Sequence, residues 1–239
     1  MIDEGMRALA EALRQQSAAY GFVARLLRTE VDDEALGRLR AMRFPAASGN
    51  DHLDAGYRGL CAYLNAGGER QHGDLAVDFL HTFIGVTQDR EQVAFPYESV
   101  YTSPEHLLMQ DARDEVLAAY RAAKVVLVDE ACEPEDHLAF ELEFMGRLSE
   151  RIAAGLGAEG APATADDLGA EVGEGGFADG VRAMMHAQAT FIDEHLLNWV
   201  PRLLERVKKF ACTPFYPAIT QLALSYIKEN RAVLKEVLS

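Results

Sequence analysis

Several things are scarce in this chain, and each scarcity excludes something. Only three cysteines occur in 239 residues, Cys61, Cys132 and Cys212, far apart and with no CxxC pair. That count argues against a disulfide frame or a cysteine-built zinc site and suits reduced thiols. Basic residues are outnumbered: 23 Lys and Arg stand against 38 Asp and Glu, for a net charge of -15. A nucleic-acid partner wants a basic footprint, so none is expected. Long apolar runs are missing, so no membrane insertion is expected. The first residues, "MIDEGMRALAEALRQQ", are acidic where a secretion signal is basic, and no apolar core follows. The expected location is the cytoplasm. There is no glycine-rich phosphate loop, no Gly-x-Ser-x-Gly elbow, no useful strand alternation and no internal repeat.

What is present is helical periodicity. Leu9, Leu13, Tyr20, Val23 and Leu27 mark a first helix ending near Arg28. "DDEALGRLRAM" opens with acids suited to a helix start. Leu53, Tyr57, Leu60, Cys61 and Leu64 form a third stripe, stopped by Gly67 and Gly68. "LAVDFLHTFIGV" is a fourth. A helix is predicted from about Ser103, with Pro104 in its first turn, to about Val126. Another is predicted from near Asp136 to about Ala154. Ile192, Leu196, Trp199, Leu203 and Val207 line a helix in which Pro201 should cause a kink or a restart. A last helix begins at Pro217. The fold class is all-α, a helical bundle in a single domain over 1–239. It divides into an N-terminal half of about 1–128, a hinge of about 129–135 and a C-terminal half of about 136–239. A flexible loop, rich in Gly, Ala and acids, is expected over about 155–178.

Two segments carry the functional interest. "FPYESVYTSPEHLLMQ", 95–110, is too apolar and too rich in aromatics and proline for a plain connector. "EPEDHLAFELEFM", 133–145, puts His137 and Glu141 one helical turn apart. That spacing suits a metal-dependent hydrolase or an ordinary surface pair. Asp136 reads most simply as the cap of its own helix. Phe79, Phe83, Phe140 and Phe144 read either as core or as the wall of a peptide groove.

Together, "DFLHTFIGV", "FPYESVYTSPEHLLMQ", "EPEDHLAFELEFMGRL", "HLLNWVPRLLERV" and "FYPAITQLALSYI" resemble the TorD/DmsD family of redox-enzyme maturation chaperones, with NarJ a more distant relative. The order of the blocks agrees from about residue 15 to the end. The Glu-Pro-x-Asp-His block is the specific one. The resemblance implies the all-α TorD-like fold and a non-enzymatic activity. The implied task is to bind the twin-arginine signal peptide, and the catalytic subunit, of a molybdopterin-containing oxidoreductase of the DMSO or TMAO reductase type. Binding would delay export until cofactor insertion. The implied peptide-binding residues are Phe79, Leu80, Phe83, Pro96, Tyr97, Glu98, Ser99, Tyr101, Asp136, His137, Glu141 and Phe144. No resident cofactor is implied; weak guanine nucleotide binding is a family property that no phosphate loop here supports. The chain would be a monomer or a domain-exchanged dimer. Arginine pairs best with carboxylates, which makes Glu98, Asp136, Glu141 and Glu143 candidate partners. A non-catalytic scaffold subunit is the remaining alternative; it predicts no exposed apolar groove.

Overall fold

A computed structural model describes residues 4–45, 47–68, 70–85, 89–126, 133–157 and 177–239. The described residues are helical nearly throughout and contain no β-strand, as the periodicity predicts. In chain order the helices are α1 (Glu4–Arg28), α2 (Asp33–Ala41), α3 (Asp51–Ala66), α4 (Gln71–Phe79) and α5 (Glu98–Thr102). They continue with α6 (Asp111–Ala122), α7 (Leu138–Gly157), α8 (Phe177–Phe191), α9 (Leu197–Phe210) and α10 (Phe215–Leu238). π-helical turns extend α4 over Leu80–Ile84 and join α8 to α9 over Ile192–Leu196.

The caps follow from residue chemistry. The Asp32 side chain accepts from the Ala35 amide at the start of α2, and Asn50 accepts from His52 and Leu53 at the start of α3. A short polar side chain there takes backbone donors that have no partner within the helix. α3 ends at Gly67, whose φ of 62° is a left-handed conformation cheap only for glycine.

α1 lies along α7, and α3 lies along α10, which also packs against α1, α8 and α9. Every residue of the stripe Ile192, Leu196, Trp199, Leu203 and Val207 is fully buried. One contiguous core runs through all of these helices. Phe79 and Phe83 belong to it: they pack on each other at 5.5 Å and on Tyr216 at 5.8 and 5.2 Å.

Four local expectations are corrected. Pro104 does not open a helix. The helix near it is the short α5, ending at Thr102, and α6 begins only at Asp111. Between them His106 and Met109 take left-handed φ values of 53° and 61°. Likewise α6 stops at Ala122, so Lys124–Val126 do not end it as helix; Lys124 has a φ of 49°. Pro201 lies inside α9, and the irregularity sits one turn earlier, in the π-turn. A π-turn absorbs a local mismatch in the hydrogen-bond ladder, here next to the Leu197 carbonyl that Pro201 cannot serve. Finally, 155–157 belong to α7 and 177–178 to α8. The remainder of the expected loop, and 129–132 of the expected hinge, lie outside the described residues. Within the rest of that hinge, Glu133 takes a hydrogen bond from the Tyr97 hydroxyl, and Glu135 is ion-paired to Arg113.

Candidate functional site: a bridged carboxylate cluster beside an apolar cleft

The two segments singled out in the sequence face each other. The Glu98 amide donates to the Asp136 carbonyl at 3.0 Å and the Leu138 amide to the Pro96 carbonyl at 2.8 Å. Tyr97 and His137 thus form an isolated antiparallel bridge, and their rings meet edge to face at 4.9 Å.

Asp136 does not cap its own helix, which corrects the sequence expectation. Its Oδ2 accepts from the Ser99 amide at 2.9 Å, so it caps α5 from 37 residues away. His137 takes the vacated role: its Nδ1 accepts from the Ala139 amide at 3.0 Å at the start of α7. Prolines explain part of this. Pro96 brings no N–H to the bridge, its carbonyl accepts there from Leu138, and its ring fixes φ on the approach to α5.

Beneath the bridge lies a buried polar cluster. Glu98 Oε2 meets His195 Nδ1 at 3.0 Å. The Trp199 indole N–H donates to Glu141 Oε2 at 3.1 Å. Glu98, Asp136 and Glu141 are all buried, at 2%, 0% and 0% exposure. Burial pushes Glu141 well above the usual carboxylate range, and the nearby Glu98 and Asp136 carboxylates push it further. The neutral acid form is thereby favoured, and Glu141 Oε1 is buried without a hydrogen-bond partner among the described residues. Burial also raises Glu98, and its bond to His195 pulls it part of the way back. Asp136 is raised by burial against the pull of Ser99.

The His137–Glu141 pair of the hydrolase alternative does not converge. One side chain caps α7 while the other receives the Trp199 indole. No group of three or more His, Cys, Asp or Glu among the described residues could hold a metal ion.

Next to the cluster, α6, α7 and α8 enclose an open cleft of about 370 Å³. Phe144, Leu148, Met184 and Phe191 are its larger apolar walls. Ala183, Ala187, Thr190 and Glu194 lie along one exposed stripe from α8 into the following turn, and all four line the cleft. Such spacing, with small side chains, leaves room for another backbone to approach. Glu194 is the one formally charged residue in the lining, and it is exposed. His195 also lines the cleft, so its ring joins the cleft to Glu98. The cleft opens along the exposed stripe, while its larger apolar walls are buried at 1–6% exposure. A second cavity, of about 520 Å³, lies between the 103–110 segment and α9.

The sequence-predicted residues therefore sort into places. Pro96, Tyr97, Glu98, Ser99, Asp136, His137 and Glu141 form the bridge and the cluster. Phe144 reaches the cleft, and Tyr101 lines the second cavity while stacking on Trp199 at 5.4 Å. Phe79 and Phe83 are core, and Leu80 stands at the surface near Val77 and Ile84. Glu143 pairs with Arg28 at 3.3 Å. Sequence reasoning missed Glu194 and His195. His195 carries no local signal, because its partner Glu98 lies 97 residues upstream. It missed Asp78 as well. That buried carboxylate accepts from the Cys212 and Thr213 amides and from the Thr82 and Thr213 hydroxyls.

An all-α protein with an apolar cleft and no assembled catalytic or metal centre among its described residues fits the class of binding proteins. The comparisons narrow the class. A family model described as the nitrate reductase delta subunit matches residues 50–205, more than half of the chain. The chaperone protein TorD of Aliivibrio fischeri is 30% identical over 233 residues, covering 93% of this chain and 96% of that protein. TorD of Vibrio cholerae strain N16961 is 27% identical over 231 residues, 93% of each chain. TorD of Vibrio parahaemolyticus is 27% identical over 227 residues, 92% of this chain and 94% of that one. The chain belongs to the family of the nitrate reductase delta subunit and the TorD chaperones, as its motifs lead one to expect. That family is one of chaperones rather than enzymes.

Proposed function

We propose that the protein is a maturation chaperone for a molybdopterin-containing oxidoreductase. It would hold the twin-arginine signal peptide of the catalytic subunit in the cytoplasm until cofactor insertion and assembly are complete, and so delay export. The observation that carries this reading is the cleft between α6, α7 and α8: apolar, open, lined by small residues on one helix face, and bearing a single carboxylate. A twin-arginine peptide is an apolar stretch preceded by two guanidinium groups. Its apolar part suits Phe144, Leu148 and Phe191, and a guanidinium suits Glu194.

The bridge residues take a supporting part in this reading. Glu98, Asp136 and Glu141 are closed to solvent, so they are poor direct partners for an arginine. They fix α5, the start of α7 and His195, and with them one wall of the cleft. Tyr97, half-buried on the bridge, and Leu80, at the surface, remain available for contact.

The test is titration of a synthetic twin-arginine signal peptide into the full chain, read by fluorescence anisotropy. Binding at micromolar affinity or better is expected. Ala187→Trp fills the cleft from an exposed position, and Glu194→Lys reverses its charge; each should weaken binding about tenfold or more. Parent-like affinity in both variants, with circular dichroism showing them folded, would sink the cleft assignment. Absence of binding to any twin-arginine peptide, including one from a molybdoenzyme encoded next to this chain, would sink the function.

A further inference from the structure

Tyr101 forms part of the second cavity. Its ring is fixed by stacking on Trp199, and it is 6% exposed. Its hydroxyl is buried, and no described residue accepts its proton. Buried hydroxyls ordinarily donate to something, so this one marks a position where an acceptor belongs.

The surroundings say what charge that acceptor carries. Arg202 and Arg206 line the same cavity; both charges act on the Tyr101 hydroxyl, and Arg206 lies close enough to donate to its oxygen but cannot accept from it. Arg202 donates to the carbonyls of Tyr101 and Asn198. A guanidinium has five N–H donors, and carbonyl partners leave its charge in place. Phe95, Val100, Leu107 and Leu108 form the apolar part of the wall, and His106 also lines it. Glu91 and Glu105 also line the cavity. They disfavour a polyanion such as a nucleotide triphosphate, because like charges within a few ångströms repel. At about 520 Å³ the cavity has the dimensions of a small-ligand site.

We propose that this second cavity binds an organic monocarboxylate on an apolar body, with the carboxylate accepting the Tyr101 hydroxyl proton and facing Arg202. The same chemistry occurs in a free carboxylic acid and in a peptide segment with one acidic side chain among apolar ones. The proposal does not depend on the peptide reading of the first cleft.

Two probes separate those sources: 4-phenylbutyrate, and the tripeptide N-acetyl-Phe-Glu-Leu-amide. Each is titrated into the full chain against its uncharged counterpart, 4-phenylbutyramide or the Gln tripeptide, and followed by amide NMR shifts. The expected result is saturable binding of at least one charged probe, roughly tenfold tighter than its neutral counterpart, as for a hydrogen bond to an ionised group. Tyr101→Phe should weaken that binding about tenfold, since it deletes the hydroxyl that donates to the carboxylate. Arg202→Gln, at an exposed position, should weaken it as well, and Ala187→Trp should leave it unchanged. Which probe binds identifies the source. The proposal fails if neither probe saturates, or if charged and neutral forms bind alike, as they would were a water already serving Tyr101. It also fails if Tyr101→Phe and Arg202→Gln both bind like the parent, or if GTP occupies the cavity and the carboxylates do not.

Discussion

Glu98, Asp136 and Glu141 are carboxyl groups held where water does not reach, with a histidine, a backbone amide and an indole as their partners. Each has a folded-state pKa above its unfolded value. Such a group contributes stability that is fully present below the ordinary carboxylate pKa and is lost as pH rises through its folded value. Glutamine at 141 keeps an acceptor for Trp199 but releases no proton. Glu141→Gln should therefore gain stability relative to the parent as pH is raised from about 5 to about 8. Urea unfolding midpoints measured across that window check this; a difference that stays flat or shrinks with pH contradicts it. Little of this cluster was legible in the sequence. His137 and Glu141 are close along the helix and invite pairing, yet they turn to different tasks. Glu98 and His195 are far apart along the chain and meet through folding alone.

At the scale of elements, α5 is the dependent one. Five residues do not form a stable helix in isolation, because nucleation costs more than one turn returns. Its first turn is held by the Asp136 carboxylate and by the bridge to Pro96. Asp136→Ala leaves the buried Ser99 amide without an acceptor and should cost about 1–3 kcal/mol. Denaturant unfolding measures that cost, and a loss well below it would mean that the cap contributes little. Long, strongly periodic helices were readable from their stripes: α1, α3, α7 and α10 lie close to where the apolar spacing puts them. The 95–110 segment was readable as unusual but not as a five-residue helix followed by left-handed turns at His106 and Met109. Those turns are held by hydrogen bonds that spacing does not display, from the His106 amide to the Ser103 carbonyl and from the Gln110 amide to the Ser99 hydroxyl. Asp136 shows the same limit, since a capping residue does not state which helix it caps.

For the molecule as a whole, the net charge of -15 acts at longer range than any contact. It should raise the rate at which a cationic peptide arrives, and salt should reduce that gain. Stopped-flow mixing with the twin-arginine peptide is expected to show association slowing several-fold between about 50 mM and about 500 mM salt, with dissociation much less affected. A dissociation rate that carries most of the salt effect would contradict steering by net charge. The charge and the helical class were both plain in the sequence; the positions of the cleft and the second cavity were not, because each is bounded by helices far apart in the chain. The bridge at Tyr97 and His137 ties that scale to the others. It brings two stretches 40 residues apart together through two backbone hydrogen bonds, so that the described residues from 97 to 126 are tied to the start of α7. Those residues contribute Tyr101 and Leu107 to one cavity, Ala119 and Ala123 to the other. Both cavities thus hang from one knot, and a change that loosens it slackens the two together.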